Sequence, residues 1–190
     1  MAKKQKIPKS LKGYLLIDSG ILGGSFFERT VVLICEHNSD GAFGLILNKP
    51  SPHRVGELTT INLPEEVMNE LVYIGGPVQP QALTYLYTTP PSEPGNVLEN
   101  LSVGHTIEEL EGVAASNTTG RHLKLFAGYS GWAPNQLELE LKRKYWLILP
   151  ATIDLVFEIP AEDLWAVALR RRGDWQSILL SYTPPKVYWN

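Results

Sequence analysis

An unbroken apolar run followed by a hairpin turn limits the folds open to this chain. Residues 30–35 read Thr-Val-Val-Leu-Ile-Cys, so both faces of the strand that they form are apolar. The pair Asp40–Gly41 is a typical hairpin turn, and the apolar residues 43–47 return as the second strand. Because apolar residues on both faces are typical of a strand buried on both sides, we predict that the first strand is central in its sheet.

Strand and helix patterns mix irregularly along the rest of the chain. Further strands are predicted at 13–17, 72–74, 82–87, 123–126, 145–149 and 153–157. Pro50 and Pro52 are predicted to end the pairing after the hairpin. Helices are predicted at 64–71, 107–115, 134–144 and 160–172, although residues 134–144 also alternate with a period of two. This order of elements is typical of an α+β fold.

The charge is divided unevenly between a short basic arm and an acidic body. Of the 190 residues, the first twelve include five lysines and no acid. Residues 13–190 hold the other 12 basic residues against all 20 acidic ones. We therefore predict a flexible Lys-rich arm over 1–12 and a single domain over 13–190, a size at which one hydrophobic core suffices. So acidic a body does not suit direct binding of nucleic acid, which depends on neutralising phosphates.

The distribution of apolar residues predicts a cytoplasmic protein that does not cross a membrane. No apolar stretch follows the N-terminal lysines, as one does in a signal peptide. The longest uncharged stretch, 71–92, is broken by glycines and prolines and does not suit a spanning helix. Cys35 is the only cysteine, so an internal disulfide is excluded.

The sequence carries no motif that predicts a catalyst, a metal site or a cofactor. It lacks a phosphate-binding loop, and its four histidines do not have the spacing of a metal-binding pair. Residues Gly128–Trp132 resemble a nucleophile elbow with Ser130 at its centre, but Trp132 replaces the final glycine of that motif. A glycine-rich turn explains the segment, so we favour a protein that is not an enzyme and predict no cofactor.

Cys35 and His37 form a candidate reactive thiol pair. Residues two apart on an extended strand share a face, and an imidazole beside a cysteine can stabilise its thiolate. However, Cys35 continues a face formed by Val31 and Leu33, where cysteine packs as a small apolar residue. The pair therefore predicts either a reactive thiol or a core position.

Three sequence blocks together resemble the YqgE/AlgH family. The first covers residues 26–50 and contains FFERTVV, ICEHN and GAFGLILNKP. The second is GGPVQP at residues 75–80, and the third is GYSGW at residues 128–132, followed by QLE at residues 136–138. The blocks occur in the family's order over most of the chain, so the match is specific.

The resemblance implies a small bacterial protein with one α+β domain, whose bifurcated mixed sheet folds into a pseudo-barrel flanked by a few helices. Some members of the family are named as transcriptional regulators, but the resemblance supplies no catalytic residue and no cofactor. Alanine is common where Ser130 stands, which argues further against a nucleophile there. The matched blocks place polar or aromatic groups in loops, and we predict Asn48, Trp132 and Gln136 as candidate contacts for a ligand or partner.

These observations favour a binding or regulatory protein that acts through a protein or a small molecule. The first alternative is an enzyme or redox sensor that uses Cys35 with His37. The second alternative is a regulator that binds DNA directly, which the acidic body disfavours. The aromatic tail Val187–Trp189 is a further candidate interface, because aromatic residues anchor protein interfaces.

Overall fold

The structure, a computed structural model, describes residues 8–115 and 122–184, which form nine strands and seven helices. The strands are β1 (Tyr14–Asp18), β2 (Val31–Asn38), β3 (Gly41–Ile46), β4 (Pro50–Arg54), β5 (Leu71–Ile74), β6 (Val78–Thr88), β7 (Leu101–Gly104), β8 (Leu123–Trp132) and β9 (Trp146–Pro150). The helices are α1 (Val55–Leu58), α2 (Glu65–Met68), α3 (Ile107–Ala115), α4 (Gln136–Lys142), α5 (Ile153–Phe157), α6 (Ala161–Arg172) and α7 (Trp175–Ser181). Within these ranges, no helix is both long enough and apolar enough to cross a bilayer.

β8 is the branch point of one mixed sheet. The strand order is β4-β5-β8-β3-β2-β1-β9, and β6 pairs with β8 and carries β7 on its other edge. The first half of β8 lies between β5, which runs parallel to it, and β6, whereas its last residues pair with β3. The α+β class is therefore confirmed. β4 and β9 end the hydrogen-bonded path without pairing with each other, so closure into a pseudo-barrel is not confirmed.

The hairpin of β2 and β3 lies at the centre of the sheet, as predicted. β2 pairs with β1 on one side and β3 on the other, and its alternate residues enter two separate cores. Leu33 packs in the main core with Leu169 of α6. Val32 packs in a second core with Leu137 of α4 and Trp146 of β9. Burial on both faces explains why this strand is apolar throughout.

A third, smaller core lies on the branch of the sheet formed by β5, β6 and β8. Val72 of β5 and Leu125 of β8 occupy neighbouring positions on one face of these strands. Val55 of α1, Val67 of α2 and Leu110 of α3 cover that face. This arrangement places three short helices around the part of the sheet where the candidate site lies.

The prediction of a strand at 153–157 is wrong, because these residues form helix α5. A short apolar run fits either a strand or one turn of a buried helix, and periodicity alone does not separate the two. Here β9 ends at Pro150, and α5 buries Leu155 and Val156 in the main core.

The prediction that Pro50 and Pro52 end the pairing is also wrong. β4 contains both prolines and pairs with β5 at Pro50↔Tyr73 and Arg54↔Leu71, with a register shift between these pairs. β4 is an edge strand, and an edge strand tolerates proline because one of its sides needs no N–H donors.

Other segments also differ from prediction. β6 and β8 are longer than the predicted strands at 82–87 and 123–126, and no element was predicted where β7 and α1 lie. The helix predicted at 64–71 covers only Glu65–Met68, because Leu71 already begins β5. Helix α7 follows α6 directly and was not evident in the sequence pattern. Its start is fixed by Asp174, whose carboxylate accepts a hydrogen bond from the Ser177 N–H at 3.0 Å.

The described end of the predicted arm belongs to the domain. Leu11 is fully buried in the second core, and its N–H donates to Nδ1 of His37 at 2.9 Å. Residues 1–7 of the arm lie outside the described residues, and so does the tail Val187–Trp189.

Candidate functional site

An apolar groove crosses the third core between α1 and α3. Its floor includes Val72, Leu83 and Leu125, one residue each from β5, β6 and β8. In α3, Ile107 and Leu110 lie three residues apart, which places them on the same face of the helix, toward the groove.

The groove has a volume of about 430 Å³, which is within the range of small-molecule sites. Most of its lining is apolar, with the side chains of Thr59 and Gln81 as the polar exceptions. Leu58 and Ile107 remain 54% and 47% exposed, because they lie where the groove opens to solvent. The lining residues are Val55, Leu58, Thr59, Ile61, Leu63, Val72, Pro80, Gln81, Ala82, Leu83, Ile107, Leu110, Leu125, Phe126 and Ala127.

An irregularity in β6 forms one side of the groove. The register between β6 and β8 shifts between Val78 and Leu83, so the residues between them are not in step with β8. Gln79 has a φ of 44°, in the left-handed region that residues other than glycine rarely adopt. The residues that follow, from Pro80 to Leu83, line the groove.

Cys35 and His37 lie on opposite faces of β2. The β2–β3 register shifts between Ile34 and Glu36, so Cys35 is the extra residue of a β-bulge and the usual alternation of faces is broken. Cys35 is fully buried in the main core. Burial raises the pKa of its thiol well above the ordinary value, and the nearby charge of Glu36 adds to this.

The side chain of His37 lies instead on the face of β2 that is turned toward the second core. Its Nδ1 accepts the N–H of Leu11, so its Nε2 carries the proton and donates to Glu138 of α4 at 2.9 Å. Both ring nitrogens therefore have partners other than Cys35. The structure does not bring the predicted thiol pair together.

Trp132 and Gln136 do come together, through Glu140. One carboxylate oxygen of Glu140 accepts hydrogen bonds from the indole N–H of Trp132 at 2.8 Å and of Trp146 at 2.7 Å. The other oxygen accepts a hydrogen bond from the side-chain amide of Gln136 at 3.0 Å. Trp132 and Trp146 are almost fully buried, so this cluster fixes α4 against the sheet.

Asn48 holds a turn of the backbone. Its side-chain NH₂ donates to the carbonyl of Arg29, and its side-chain oxygen accepts the N–H of Val31, both at 2.9 Å. Arg29 has a φ of 53°, so the amide fixes a strained turn directly before β2. Both ends of the Asn48 amide are thus used by the chain itself.

A second, more polar pocket of about 280 Å³ contains Lys124. The Lys124 ammonium donates to the carbonyl of Val156 at 3.0 Å and lies 4.3 Å from the ring centre of Tyr73. Burial lowers the pKa of this lysine to about 8. Because Val156 is in the last turn of α5, Lys124 also caps a helix end, a structural role that accounts for its position.

The described residues contain no group of three or more histidine, cysteine, aspartate or glutamate side chains that could hold a metal ion. No site for a metal is therefore assigned to that part of the chain.

A family model described as AlgH-like, of the domain family DUF179, matches residues 15–176. The chain belongs to this family. A UPF0301 protein of Desulfotalea psychrophila is 38% identical over 174 residues, which cover 88% of this chain and 90% of that protein. A UPF0301 protein of Anaeromyxobacter sp. strain K is 35% identical over 181 residues, covering 89% of this chain and 91% of the relative. The predicted YqgE/AlgH resemblance is thereby confirmed.

Solved structures agree with the AlgH-like assignment. The solution structure of AlgH from Pseudomonas aeruginosa matches with a TM-score of 0.72 and 30% identity, covering 97% of this chain and 100% of that chain. A crystal structure of a protein from Corynebacterium diphtheriae matches with a TM-score of 0.74 and 24% identity, covering 96% and 95% of the two chains, and supports the fold alone.

Two of the AlgH-like sequence blocks meet where β5 turns into β6. A Cβ atom at Gly76 would lie 2.2 Å from the backbone of Tyr129, and one at Gly75 would lie 2.3 Å from the carbonyl of Gly128. Ser130 is buried, and its hydroxyl donates to the carbonyl of Gly75 at 3.0 Å. The glycines therefore permit a close crossing of strands, and Ser130 stabilises that crossing rather than facing a substrate.

Sequence reasoning missed Glu140 and the groove. The spacing of Gln136 and Glu140 is a helical i,i+4 pattern and could have indicated their contact. The groove could not be found in this way, because its lining comes from separate segments that only the fold brings together.

Proposed function

We propose that this AlgH-like chain is a binding protein that holds an apolar group of its ligand or partner in the groove between α1 and α3. The single observation that carries this proposal is the open cavity of about 430 Å³ with its mainly apolar lining. Sites of this volume and composition suit apolar groups, which gain free energy by leaving water.

The position of Cys35 does not support the thiol alternative. A reactive cysteine needs thiolate character and access, whereas this thiol is buried and the pKa of its Sγ is raised. We expect the folded protein at pH 8 to react with a thiol reagent no faster than it unfolds. Rapid labelling of Cys35 in the folded protein, followed by mass spectrometry, would restore the thiol alternative.

The charge of the chain does not support the second alternative, a regulator that binds DNA directly. The acidic charge of residues 13–190 favours a protein or small-molecule partner over the phosphates of DNA. A gel shift with salt-sensitive binding of DNA would argue for direct binding instead.

The proposal is tested with Nile red, a neutral apolar dye whose fluorescence increases on leaving water. The double variant Leu58→Gln/Ile107→Gln makes the groove opening polar and is expected to weaken dye binding at least about fivefold, because two large apolar contacts are lost.

The matched control is Leu139→Gln/Ile21→Gln. Leu139 and Ile21 are 51% and 58% exposed, similar to the pair at the groove, but they lie outside it. The control is expected to bind the dye as the unmodified protein does. Equal loss in both variants, or no loss in either, contradicts the proposal.

A further inference from the structure

An open edge of β6 borders the groove. The β6–β7 ladder ends at Tyr85↔Gly104, after which the chain turns into α3. The N–H of Thr88 donates to the carbonyl of His122, directly before β8, so in the regular part of the β6–β8 ladder, from Leu83 onward, the even-numbered residues direct their backbone groups toward β8. By the same alternation, the N–H and C=O of Leu83 point to the opposite edge, which no other strand of the described residues covers.

Open strand edges add further strands through backbone hydrogen bonds, and adjacent pockets then select side chains. Leu83 belongs both to this edge and to the lining of the groove. A peptide paired with the edge at Leu83 would thus place the side chain opposite Leu83 next to the apolar cavity.

The charges beside the groove are mainly negative. Within two positions of its lining residues, the basic residues are Arg54 and Lys124, and Lys124 is directed away toward Val156. Among the acidic residues within the same distance, Glu70 lies with Lys124 in the separate polar pocket, and the carboxylate of Glu109 accepts hydrogen bonds from the hydroxyls of Tyr85 and Tyr87. The other acidic residues are Glu57, Glu65, Glu108 and Glu111. On α3, Glu111 lies one helical turn from Ile107 and is exposed, so it borders the groove opening. This charge favours a cationic partner.

We propose that the occupant of the groove is an extended peptide that adds to the open edge of β6, places apolar side chains in the groove and directs lysines or arginines to the glutamates around it. The inference rests on the proposed function and goes further by naming the chemical class of the partner. Apolar burial, backbone pairing and opposite charge each contribute a separable part of the binding.

The test uses a seven-residue capped peptide of sequence Lys-Val-Lys-Leu-Lys-Val-Lys and the full chain, with binding measured by calorimetry. A second peptide carries N-methyl groups on alternate backbone nitrogens, which removes N–H donors and keeps every side chain. A third peptide has glutamate in place of lysine. The parent peptide is expected to bind at least about tenfold more tightly than either of the others, and more weakly at 300 mM salt than at 50 mM.

The outcomes separate this inference from the proposed function. If Nile red binds in the groove and the parent peptide does not bind, the peptide inference fails and the proposed function stands. If the N-methylated peptide binds as tightly as the parent, strand pairing is overturned. If the glutamate peptide binds as tightly as the parent, charge recognition is overturned. If the Leu58→Gln/Ile107→Gln variant leaves binding of both dye and peptide unchanged, both proposals fail.

A second copy of the chain is the competing occupant of the edge. Sedimentation velocity over a range of concentrations detects such a dimer. A dimer that the Leu58→Gln/Ile107→Gln variant abolishes and that the parent peptide does not dissociate overturns the inference, whereas a monomer that binds the parent peptide supports it.

Discussion

Glu140 is the residue on which the packing of α4 depends most directly, because one carboxylate group receives three side-chain hydrogen bonds. The Glu140→Gln variant replaces one acceptor oxygen by a donor, so it leaves either two indole N–H groups or the Gln136 amide without an acceptor. We expect the free energy of unfolding, measured by urea denaturation, to fall by about 2 kcal/mol. Hydrogen bonds to a charged group contribute about 1.5–3 kcal/mol each.

Glu36→Gln is the control for this change. Glu36 is also a glutamate, but its side chain is exposed at the end of β2. We expect Glu36→Gln to change the free energy of unfolding by less than about 0.5 kcal/mol. Equal effects of the two substitutions would show that the Glu140 cluster does not stabilise the fold.

Lys124 predicts a distinctive dependence of stability on pH. Its pKa is about 8 in the folded protein, against 10.5 for a lysine side chain surrounded by water, so the unfolded chain binds more protons between these values. The free energy of unfolding should therefore rise with pH across this window, and the full penalty of the buried charge remains below pH 8. Between pH 8 and pH 10 the expected gain is about 2 kcal/mol.

The Lys124→Met variant isolates this contribution. Other groups, such as Tyr87 with its pKa raised to about 12, titrate in both proteins and cancel in the difference. Urea unfolding of the two proteins at several pH values gives their free energies of unfolding. The difference between the two free energies should change by about 2 kcal/mol between pH 8 and pH 10. A constant difference would mean that Lys124 does not have a lowered pKa.

At the scale of elements, the turn from β5 to β6 requires glycine for steric reasons. A Cβ atom at Gly76 would meet the backbone of Tyr129, which cannot move without breaking the β8 ladder. We expect Gly76→Ala to lower the free energy of unfolding by more than about 3 kcal/mol, or to prevent folding.

Gly112→Ala is the matched comparison. Gly112 lies inside α3, and a Cβ atom there would have no neighbour within 4 Å. We expect this substitution to stabilise the protein by about 0.5–1 kcal/mol in the same unfolding assay, because alanine is the better helix former. Destabilisation by Gly112→Ala, or tolerance of Gly76→Ala, would contradict the structure at these elements.

Elements with local signals were predictable from the sequence. α3 begins at its predicted first residue, Ile107, and α6 has acidic residues in its first turn, arginines in its last turn and Gly173 after it. Elements that depend on tertiary context could not be predicted from the sequence. Residues 153–157 form a helix because of how they pack, and β4 exists because an edge position tolerates its prolines.

The candidate site was less accessible to sequence reasoning than the fold. Trp132 and Gln136 do lie together, although what joins them is Glu140 and the role of the cluster is structural. Cys35 and His37 lie on opposite faces because a single bulge residue reverses which face a side chain takes. The groove itself depends on residues that are distant in the chain and gives no local signal.

At the scale of the whole molecule, two apolar surfaces compete as candidate contact sites. One is the groove over the third core. The other is the outer face of α7, where Trp175, Leu179 and Tyr182 are exposed at helical spacing. The groove is concave and encloses a cavity, whereas α7 presents a convex stripe, so we assign ligand binding to the groove.

The measurement that tests this assignment most directly is a methyl NMR titration of the protein with Nile red, with assigned isoleucine, leucine and valine signals. We predict that the largest shift changes occur at Leu58, Leu83 and Ile107, which line the groove. Changes concentrated at Ile178 and Leu179 of α7, or spread evenly over the surface, would contradict binding in the groove.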